Sequence, residues 1–299
     1  MNLEVEIAEL KLQNPVMAAS GTFGYGAEYE PIVDIQKLGA IVCKGTTLEE
    51  REGNPQPRIW ETPSGILNSV GLENPGVEEV IKVKAPIWET WQVPVIVNIA
   101  GNDPEEYVLL ASKLDGVKGV SGIEVNLSCP NVEGITDSGE NPEVAFDITR
   151  KVRKSTSLPL IVKLSYSSHV SEVASACEEA GADALTVMNS IKGMAIDIKR
   201  RRPALGNITG GLSGPAIRPI AIHSVYQAAK AVSIPVIGCG GIFSGEDALE
   251  FMLAGATAVQ VGAATLSHPR ATVNIIHELE EFCLKENTSL KEIIGLAQI

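Results

Sequence analysis

One pattern occurs three times in the sequence, as VPVIVN at 93–98, LPLIVK at 158–163 and IPVIG at 234–238. Each copy places a proline before an unbroken run of mostly β-branched or other apolar residues. Proline is tolerated at the first residue of a strand, and runs without polar alternation are typical of strands covered on both faces. The pattern therefore predicts three buried parallel strands.

A Gly-Ala pair before an apolar run, at 39–42, 181–185 and 255–259, predicts three more strands, each following the end of a helix. Pro15–Ala18 and Ile123–Val125 raise the number to eight, most of them separated by stretches with helical periodicity. This arrangement is that of an α/β protein with a (β/α)8 TIM barrel, and we expect residues 1–299 to form a single domain. A doubly wound open sheet is the alternative, but no G-x-G-x-x-G turn follows the first strand.

The charge balance limits the possible partners. The 299 residues include 24 Lys and Arg against 37 Asp and Glu, giving a formal net charge of −13 at pH 7. This acidic excess argues against nucleic acids and anionic membranes as partners. The first fifteen residues do not resemble a signal peptide, and no apolar run has the roughly 20 residues that cross a bilayer. We therefore expect a soluble, cytoplasmic protein.

The five cysteines are widely spaced and form no C-x-x-C pair. This pattern is typical of reduced thiols in the cytosol, and it lacks the clustered thiolates that an iron–sulfur cluster needs. Cys177 and Cys283 fall on apolar faces of helical stretches, so we expect both in the core. Any iron–sulfur cluster is expected on another chain.

Active sites of barrels lie at the carboxyl ends of the strands, which directs attention to the residues found there. Two lysines and several asparagines converge on this end, which argues for a polar ligand. No carboxylate or histidine stands at a predicted strand end, which weakens acid–base isomerases and metal hydrolases. The residues are Ser20-Gly21, Lys44-Gly45, Asn98, Asn126, Lys163, Asn189-Ser190, Gly240-Gly241 and Gly262-Ala263.

Two of these ends suit a phosphate group. Gly240-Gly241 and Gly262-Ala263 leave backbone N–H groups open to an anion, at the position where barrels commonly bind phosphate, although Gly-Gly can also be a simple tight turn. Lys163, Asn98 and Asn126 offer fixed donors to a flat polar ligand, and a lysine near a reduced flavin would stabilise its negative charge.

Three long connections, residues 45–92, 127–143 and 189–217, are candidates for functional loops. Cys129 lies in the second, three residues past a strand end, where a thiol can act as nucleophile or base or have no role. The basic run Lys199–Arg202 lies in the third and favours a solvated loop, with partner docking as the alternative.

Seven motifs, in this order along the chain, resemble those of the dihydroorotate dehydrogenases, and specifically their class 1B catalytic subunits. The segment GLENPG at 71–76 is similar to the 1B form, and Cys129 argues against class 2, in which the base is serine. The motifs are ASGTFG at 19–24, KGTT at 44–47, REGNP at 51–55, NSVGL at 68–72, NLSCPN at 126–131, GGLSG at 210–214 and GGI at 240–242.

The resemblance implies an FMN-dependent enzyme that oxidises dihydroorotate to orotate in pyrimidine biosynthesis, with Cys129 as the base that removes the C5 proton. The residues implied for FMN binding are Ser20, Lys44, Gly45, Asn98, Asn126, Lys163, Met188, Gly214, Gly240, Gly241, Gly262 and Ala263. Those implied for substrate binding are Lys44, Asn68, Ser69, Val70, Gly71, Leu72, Asn126, Asn189 and Ser190.

The same resemblance implies that electrons leave for NAD+ through a second subunit that carries FAD and a 2Fe–2S cluster, in a heterotetramer of two catalytic and two electron-transfer subunits. Ser190 and Ala263 depart from the threonines that the family favours at these positions; Ala263 loses a hydroxyl but keeps its backbone N–H. The alternatives are a flavin oxidoreductase similar to dihydropyrimidine dehydrogenase, a flavin-free barrel lyase or isomerase acting on a phosphorylated metabolite, and a non-catalytic barrel.

Overall fold

A computed structural model describes residues 3–127 and 140–299, so Cys129 and most of the 127–143 connection lie outside the described residues. Eight parallel strands form a closed barrel, which confirms the predicted α/β fold. The strands are β1 (Val16–Ala18), β2 (Ala40–Val42), β3 (Val95–Ile99), β4 (Gly122–Asn126), β5 (Leu160–Leu164), β6 (Ala184–Val187), β7 (Val236–Cys239) and β8 (Ala258–Val261).

Each barrel strand pairs with the next along the chain, and β8 closes the barrel by pairing with β1. All eight strands coincide with the segments that the sequence predicts. Gly181 and Gly255, which precede β6 and β8, have φ angles of 101° and 113°. These left-handed conformations end the preceding helices, as the Gly-Ala pattern predicts. At the third pair the prediction of a preceding helix was wrong, because Gly39 follows a short 3-10 turn and has no positive φ angle.

Helices surround the barrel on its outer face. Several begin at residues whose side chains cap the first turn, such as Asp103, Asn141 and Ser244. A helical segment at 77–88 comprises Val77–Glu79, a π-helical turn Val80–Lys84 and Ala85–Trp88. The other helices are Pro104–Leu114, Pro142–Arg153, Val170–Glu179, Arg218–Ala231, Gly245–Leu253, Ala263–Ser267, Ala271–Glu286 and Leu290–Ile293, and short 3-10 turns occur at Ala27–Tyr29, Ile35–Lys37 and Pro215–Ile217.

The core has two parts. Outward-facing strand residues pack against the helices, and Cys177 and Cys283 lie fully buried there, as predicted. The lower half of the barrel interior is apolar and is closed by an N-terminal hairpin of Val5–Ile7 and Leu10–Leu12. Side chains of this hairpin pack against inward-facing residues such as Ile96 and Ile161, so the amino end of the barrel is sealed.

Two of the predicted long loops contain strands of their own and pair with each other. Ile59–Thr62 and Gly65–Asn68 come from the loop after β2, and Ile191–Gly193 and Gly210–Ser213 come from the loop after β6. They form one antiparallel four-stranded sheet, in which Gly65–Asn68 lies beside Gly210–Ser213. This sheet brings the two loops together beside the carboxyl ends of the strands.

The basic run Lys199–Arg202 is exposed and follows a two-residue strand, Ile196–Asp197, which pairs with Arg202–Pro203. Asp197 accepts a hydrogen bond from the backbone N–H of Arg200. Over residues 3–127 and 140–299, no helix is long and apolar enough to cross a membrane.

Candidate active site

A layer of five polar side chains fills the barrel interior above the apolar half. Each residue lies on a different strand, from β3 to β6 and on β8, and strand register places Asn98 beside Glu124 and Lys163 beside Thr186. All five residues are buried. The members of this polar layer are Asn98, Glu124, Lys163, Thr186 and Gln260.

Glu124 is the centre of the polar layer. Its Oε1 accepts a hydrogen bond from Asn98 Nδ2 at 2.7 Å. Its Oε2 accepts from Thr186 Oγ1 at 2.8 Å and from Gln260 Nε2 at 2.5 Å. Three donors from three other strands therefore converge on one carboxylate.

Lys163 is the cation of the polar layer. Its Nζ lies 3.6 Å from Glu124 Oε1 and donates to Gln260 Oε1 at 3.0 Å. Burial is the largest single influence and lowers the pKa of the ammonium, but attraction to Glu124 and weaker effects together outweigh it. The net pKa of Lys163 lies above its ordinary value, so the ammonium stays charged at neutral pH.

Glu124 corrects one step of the sequence reasoning, which found no carboxylate among the strand ends. The glutamate stands two residues before Asn126, below the end of β4 but inside the barrel. Alternation along a strand places Gly122, Glu124 and Asn126 on one face, so a search of inward-facing positions would have found it.

The structure brings together several residues predicted to bind the flavin. Lys163 Nζ donates to Ser20 Oγ at 3.3 Å, which joins the ends of β1 and β5. Asn98 lies in the same polar layer, and a Cβ placed on Gly45 would lie 3.1 Å from Asn98 Oδ1. These side chains offer donors and an acceptor at the opening of the barrel, which fits a flat polar ring.

The predicted phosphate-binding residues follow two neighbouring strands, β7 and β8. Gly240 and Gly241 have φ angles of 132° and 77°, and a Cβ on Gly241 would lie 2.8 Å from the carbonyl oxygen of Gly214. Gly262 precedes the helix Ala263–Ser267. The backbone N–H groups of Gly240, Gly241 and Ala263 have no hydrogen-bond acceptor within the described ranges. These unpaired amides follow the ends of the paired strands β7 and β8 and can donate to a phosphate group.

Lys44 differs from Lys163 because it is partly exposed and paired with a surface carboxylate. Its Nζ lies 3.3 Å from Glu73 Oε1, and Arg58 also contacts Glu73. The charge of Lys44, followed by the hydrogen bond from Arg58, lowers the pKa of the Glu73 carboxyl. Sequence reasoning assigned no role to Glu73 or Arg58, because their pairing depends on the folding of the loop after β2.

The segment Asn68–Leu72 approaches the end of β2, where a Cβ placed on Gly45 would lie 3.1 Å from Leu72 Cδ2. Asn54 holds it, donating its backbone N–H to the carbonyl of Val70 at 3.0 Å and its side-chain amide to the carbonyl of Ser69 at 3.2 Å. Gly71 and Leu72 both have positive φ angles, 78° and 55°. A leucine in this region of backbone space is uncommon, and such strain is often found at functional sites.

The remaining substrate candidates meet across the two paired loops. Asn189 Nδ2 donates to Asn126 Oδ1 at 3.3 Å, and Asn68 Nδ2 donates to the carbonyl of Gly211 at 3.3 Å. Ser190 packs directly over Gly211. The sheet formed by the loops therefore places Asn68 and Ser190 on either side of one glycine.

Two predicted residues lie apart from this group. The side chain of Met188 packs away from the barrel opening, where its sulfur accepts a hydrogen bond from Ser224 Oγ at 3.7 Å. Cys129 lies outside the described residues, so its place relative to the site is not part of the structure. Within the described ranges, no group of three or more His, Cys, Asp or Glu side chains could hold a metal ion.

Comparisons with known proteins point to one family. A family model described as "Dihydroorotate dehydrogenase" matches residues 2–283. A protein of Desulforamulus reducens named "Dihydroorotate dehydrogenase B (NAD(+)), catalytic subunit" is 52% identical, over 100% of this chain and 99% of its own length. Proteins with the same name from Geotalea uraniireducens and Thermoanaerobacter pseudethanolicus are 53% and 51% identical, over 98% and 100% of this chain and 97% and 100% of their own lengths.

The contact between Ser190 and Gly211 predicts a specific steric effect. A Gly211→Ala substitution would place a Cβ against the Ser190 hydroxyl and 2.7 Å from Ser190 Cβ, which rotation of the serine cannot relieve. We expect the free energy of unfolding, measured by urea titration, to fall by about 1–3 kcal/mol. The double variant Ser190→Gly/Gly211→Ala should recover most of the loss, and equal losses in both variants would contradict this packing.

Proposed function

Because this chain belongs to the dihydroorotate dehydrogenase family, we propose that it oxidises dihydroorotate to orotate in pyrimidine biosynthesis, with FMN as the hydride acceptor. The observation that carries the proposal is the buried Lys163 ammonium, which donates to Ser20 Oγ and pairs with Glu124 near the carboxyl ends of the strands. A fixed cation at this point suits a cofactor ring that gains negative charge on reduction.

The residues of the chain divide into three groups around the cofactor. Gly240, Gly241, Gly262 and Ala263 would hold the phosphate through their backbone N–H groups. The ring and ribityl chain would be held by Ser20, Lys44, Asn98, Asn126, Lys163 and Gly214. Gly45 and the backbone of Met188 complete the proposed set. FMN, when bound, supplies the atom that accepts a hydride.

Lys44 and the paired loops would bind the substrate. The Lys44 ammonium suits the carboxylate of dihydroorotate, and the amides of Asn68, Asn126 and Asn189 suit its ring carbonyls and N–H groups. Ser190 and the backbone of Ser69–Leu72 would complete the contacts. The hydrogen bond between Asn126 and Asn189 supports this grouping, because it joins candidates from two separate strand ends.

Cys129 would act as the base. It follows the end of β4 by three residues in the sequence, next to the proposed substrate ligand Asn126. Its thiolate Sγ would take the proton from C5 of dihydroorotate while the C6 hydride leaves for the cofactor, so that a C5–C6 double bond forms. A thiol can serve here because its pKa lies close enough to neutrality for a useful thiolate fraction.

Electrons would then pass to NAD+ through a separate subunit with FAD and a 2Fe–2S cluster. The names of the relatives, which contain "NAD(+)" and "catalytic subunit", support NAD+ as the acceptor and the presence of a second subunit. We propose a heterotetramer of two catalytic and two electron-transfer subunits, located in the cytoplasm, with each catalytic chain folded as a single domain.

An absorption spectrum of the purified chain, before and after anaerobic addition of dihydroorotate, tests the proposal. We expect flavin bands that bleach, because hydride transfer reduces the cofactor. Flavin bands that persist would show that dihydroorotate is not the substrate. They would favour a different pyrimidine substrate, as in an enzyme similar to dihydropyrimidine dehydrogenase. A colourless chain that takes up no added FMN would favour a flavin-free lyase or isomerase of a phosphorylated metabolite.

A Cys129→Ser variant tests the base. We expect flavin reduction by dihydroorotate to slow by about 10²–10⁴-fold near neutral pH, because a serine hydroxyl is far less acidic than a thiol. Stopped-flow absorbance measures the rate, and FMN content should remain at one per chain. Cys177→Ala removes a core thiol from the outer helix Val170–Glu179 and serves as the control with an unchanged rate. Loss of FMN from the Cys129→Ser variant would contradict the assigned role.

The separate electron-transfer subunit leads to another prediction. The isolated chain should reduce an artificial dye with dihydroorotate but should not reduce NAD+ at a useful rate, since the proposed route to NAD+ needs the partner's FAD and cluster. Parallel assays with dye and NAD+ on the same preparation measure the difference. Efficient NAD+ reduction by the isolated chain would overturn the two-subunit proposal.

A further inference from the structure

The proposed reaction uses Lys163 and Asn98 but gives no role to the carboxylate that holds both of them. Glu124 has no exposed surface and receives three hydrogen bonds in addition to its ion pair. Moving a carboxylate and an ammonium out of water costs several kcal/mol for each ion, and an apolar pair of similar volume often stabilises a fold as well or better. Stability alone therefore does not account for a charged pair at this position.

We propose that Glu124 is a positioning residue for the flavin site, which keeps the Lys163 ammonium charged and fixes the Asn98 and Gln260 amides. The inference rests on the proposed binding of FMN at the barrel opening. Glu124 itself lies below that opening and acts through its neighbours.

Hydrogen-bond polarity supports this role. Because Glu124 accepts through both oxygens, Asn98 and Gln260 must each turn their NH2 group toward it. Gln260 is then left with its Oε1 facing Lys163 Nζ at 3.0 Å, and Asn98 is left with its Oδ1 facing Gly45. The Glu124 carboxylate thus determines the orientation of the Asn98 and Gln260 amides. As a result, the Lys163 ammonium faces two acceptors, Glu124 Oε1 and Gln260 Oε1.

Charge supports the same role. Among the described residues, the titratable groups that act on Lys163 are Glu124 on β4 and Cys239 on β7. Burial, more than any other influence, raises the pKa of the Cys239 thiol, so the thiol is neutral at physiological pH. Glu124 is therefore the charged partner that keeps Lys163 protonated against desolvation, which is the largest influence on the lysine and acts in the opposite direction.

The isosteric variant Glu124→Gln provides the test. In the wild type Lys163 is protonated in both redox states, so reduction of bound FMN takes up two electrons and one proton, and its potential falls by about 30 mV per pH unit. Without Glu124, desolvation favours the neutral amine, and reduction then also returns a proton to Lys163. In Glu124→Gln the reduction potential of bound FMN should therefore fall by nearly 60 mV, or about twice the wild-type value, per pH unit between pH 6 and 9. A dye-equilibration titration measures this potential.

A second readout needs no cofactor. In Glu124→Gln the folded state holds Lys163 with a pKa below that of the unfolded chain, so the unfolded state binds more protons. The free energy of unfolding of the FMN-free protein should therefore rise with pH between 6 and 9 relative to wild type. In the wild type the folded pKa is raised, so Lys163 adds no such rise in that range. Glu78→Gln, which breaks the exposed 2.7 Å pair with Lys113, is the control and should leave both profiles unchanged.

Each outcome decides the proposal. If Glu124→Gln shows the wild-type dependence of the FMN potential on pH and also the wild-type dependence of the free energy of unfolding on pH, the proposal is overturned. If the wild type binds no FMN, the proposed function fails, and the stability profiles still show whether Glu124 holds the charge on Lys163. If Glu124→Gln does not fold, the double variant Glu124→Gln/Lys163→Met removes both charges and should fold, whereas failure of both variants would overturn the proposal.

Discussion

The buried ion pair between Lys163 and Glu124 constrains the upper half of the barrel. Neither charge has access to bulk water, so each must be satisfied by side chains from other strands, or the fold would bear an uncompensated desolvation cost. Asn98, Thr186 and Gln260 meet this requirement, and together the five residues connect β3, β4, β5, β6 and β8. The lower half of the barrel interior is apolar, and the N-terminal hairpin completes it through residues such as Ile7.

The two long loops above the polar layer are held in place by pairing with each other. The loops after β2 and β6 pair through Gly65–Asn68 and Gly210–Ser213, and the close approach of Ser190 to Gly211 requires the absence of a side chain at that glycine. Proposed substrate ligands such as Asn68 therefore lie on a small sheet rather than on free loops. This arrangement combines the precision of regular structure with the variability that loops give to barrel enzymes.

The sequence predicts the eight strands because its signals, proline before an apolar run and Gly-Ala after a helix, are local. The same reasoning identifies Lys163 and Asn98 because both end such runs. It does not reveal the pairing of Asn68 with Gly211, which lie 143 residues apart and share no local pattern. Glu124 was missed for another reason, since attention to strand ends overlooked the inward-facing position below Asn126. Glu73 and Arg58 depend on the path of one loop, which periodicity does not determine.

The two lysines near the barrel opening suit different tasks because their surroundings differ. The Lys163 side chain is 4% exposed and fixed between Glu124, Gln260 and Ser20, so its charge is constant and weakly screened. The Lys44 side chain is 25% exposed, and its partner Glu73 is 45% exposed. Pairs of that kind contribute about 0–1 kcal/mol, so a ligand carboxylate can replace Glu73 as the partner of Lys44 at little cost. The difference in burial therefore supports the proposed division of labour, in which Lys163 serves the permanent cofactor and Lys44 a substrate that must enter and leave in every turnover.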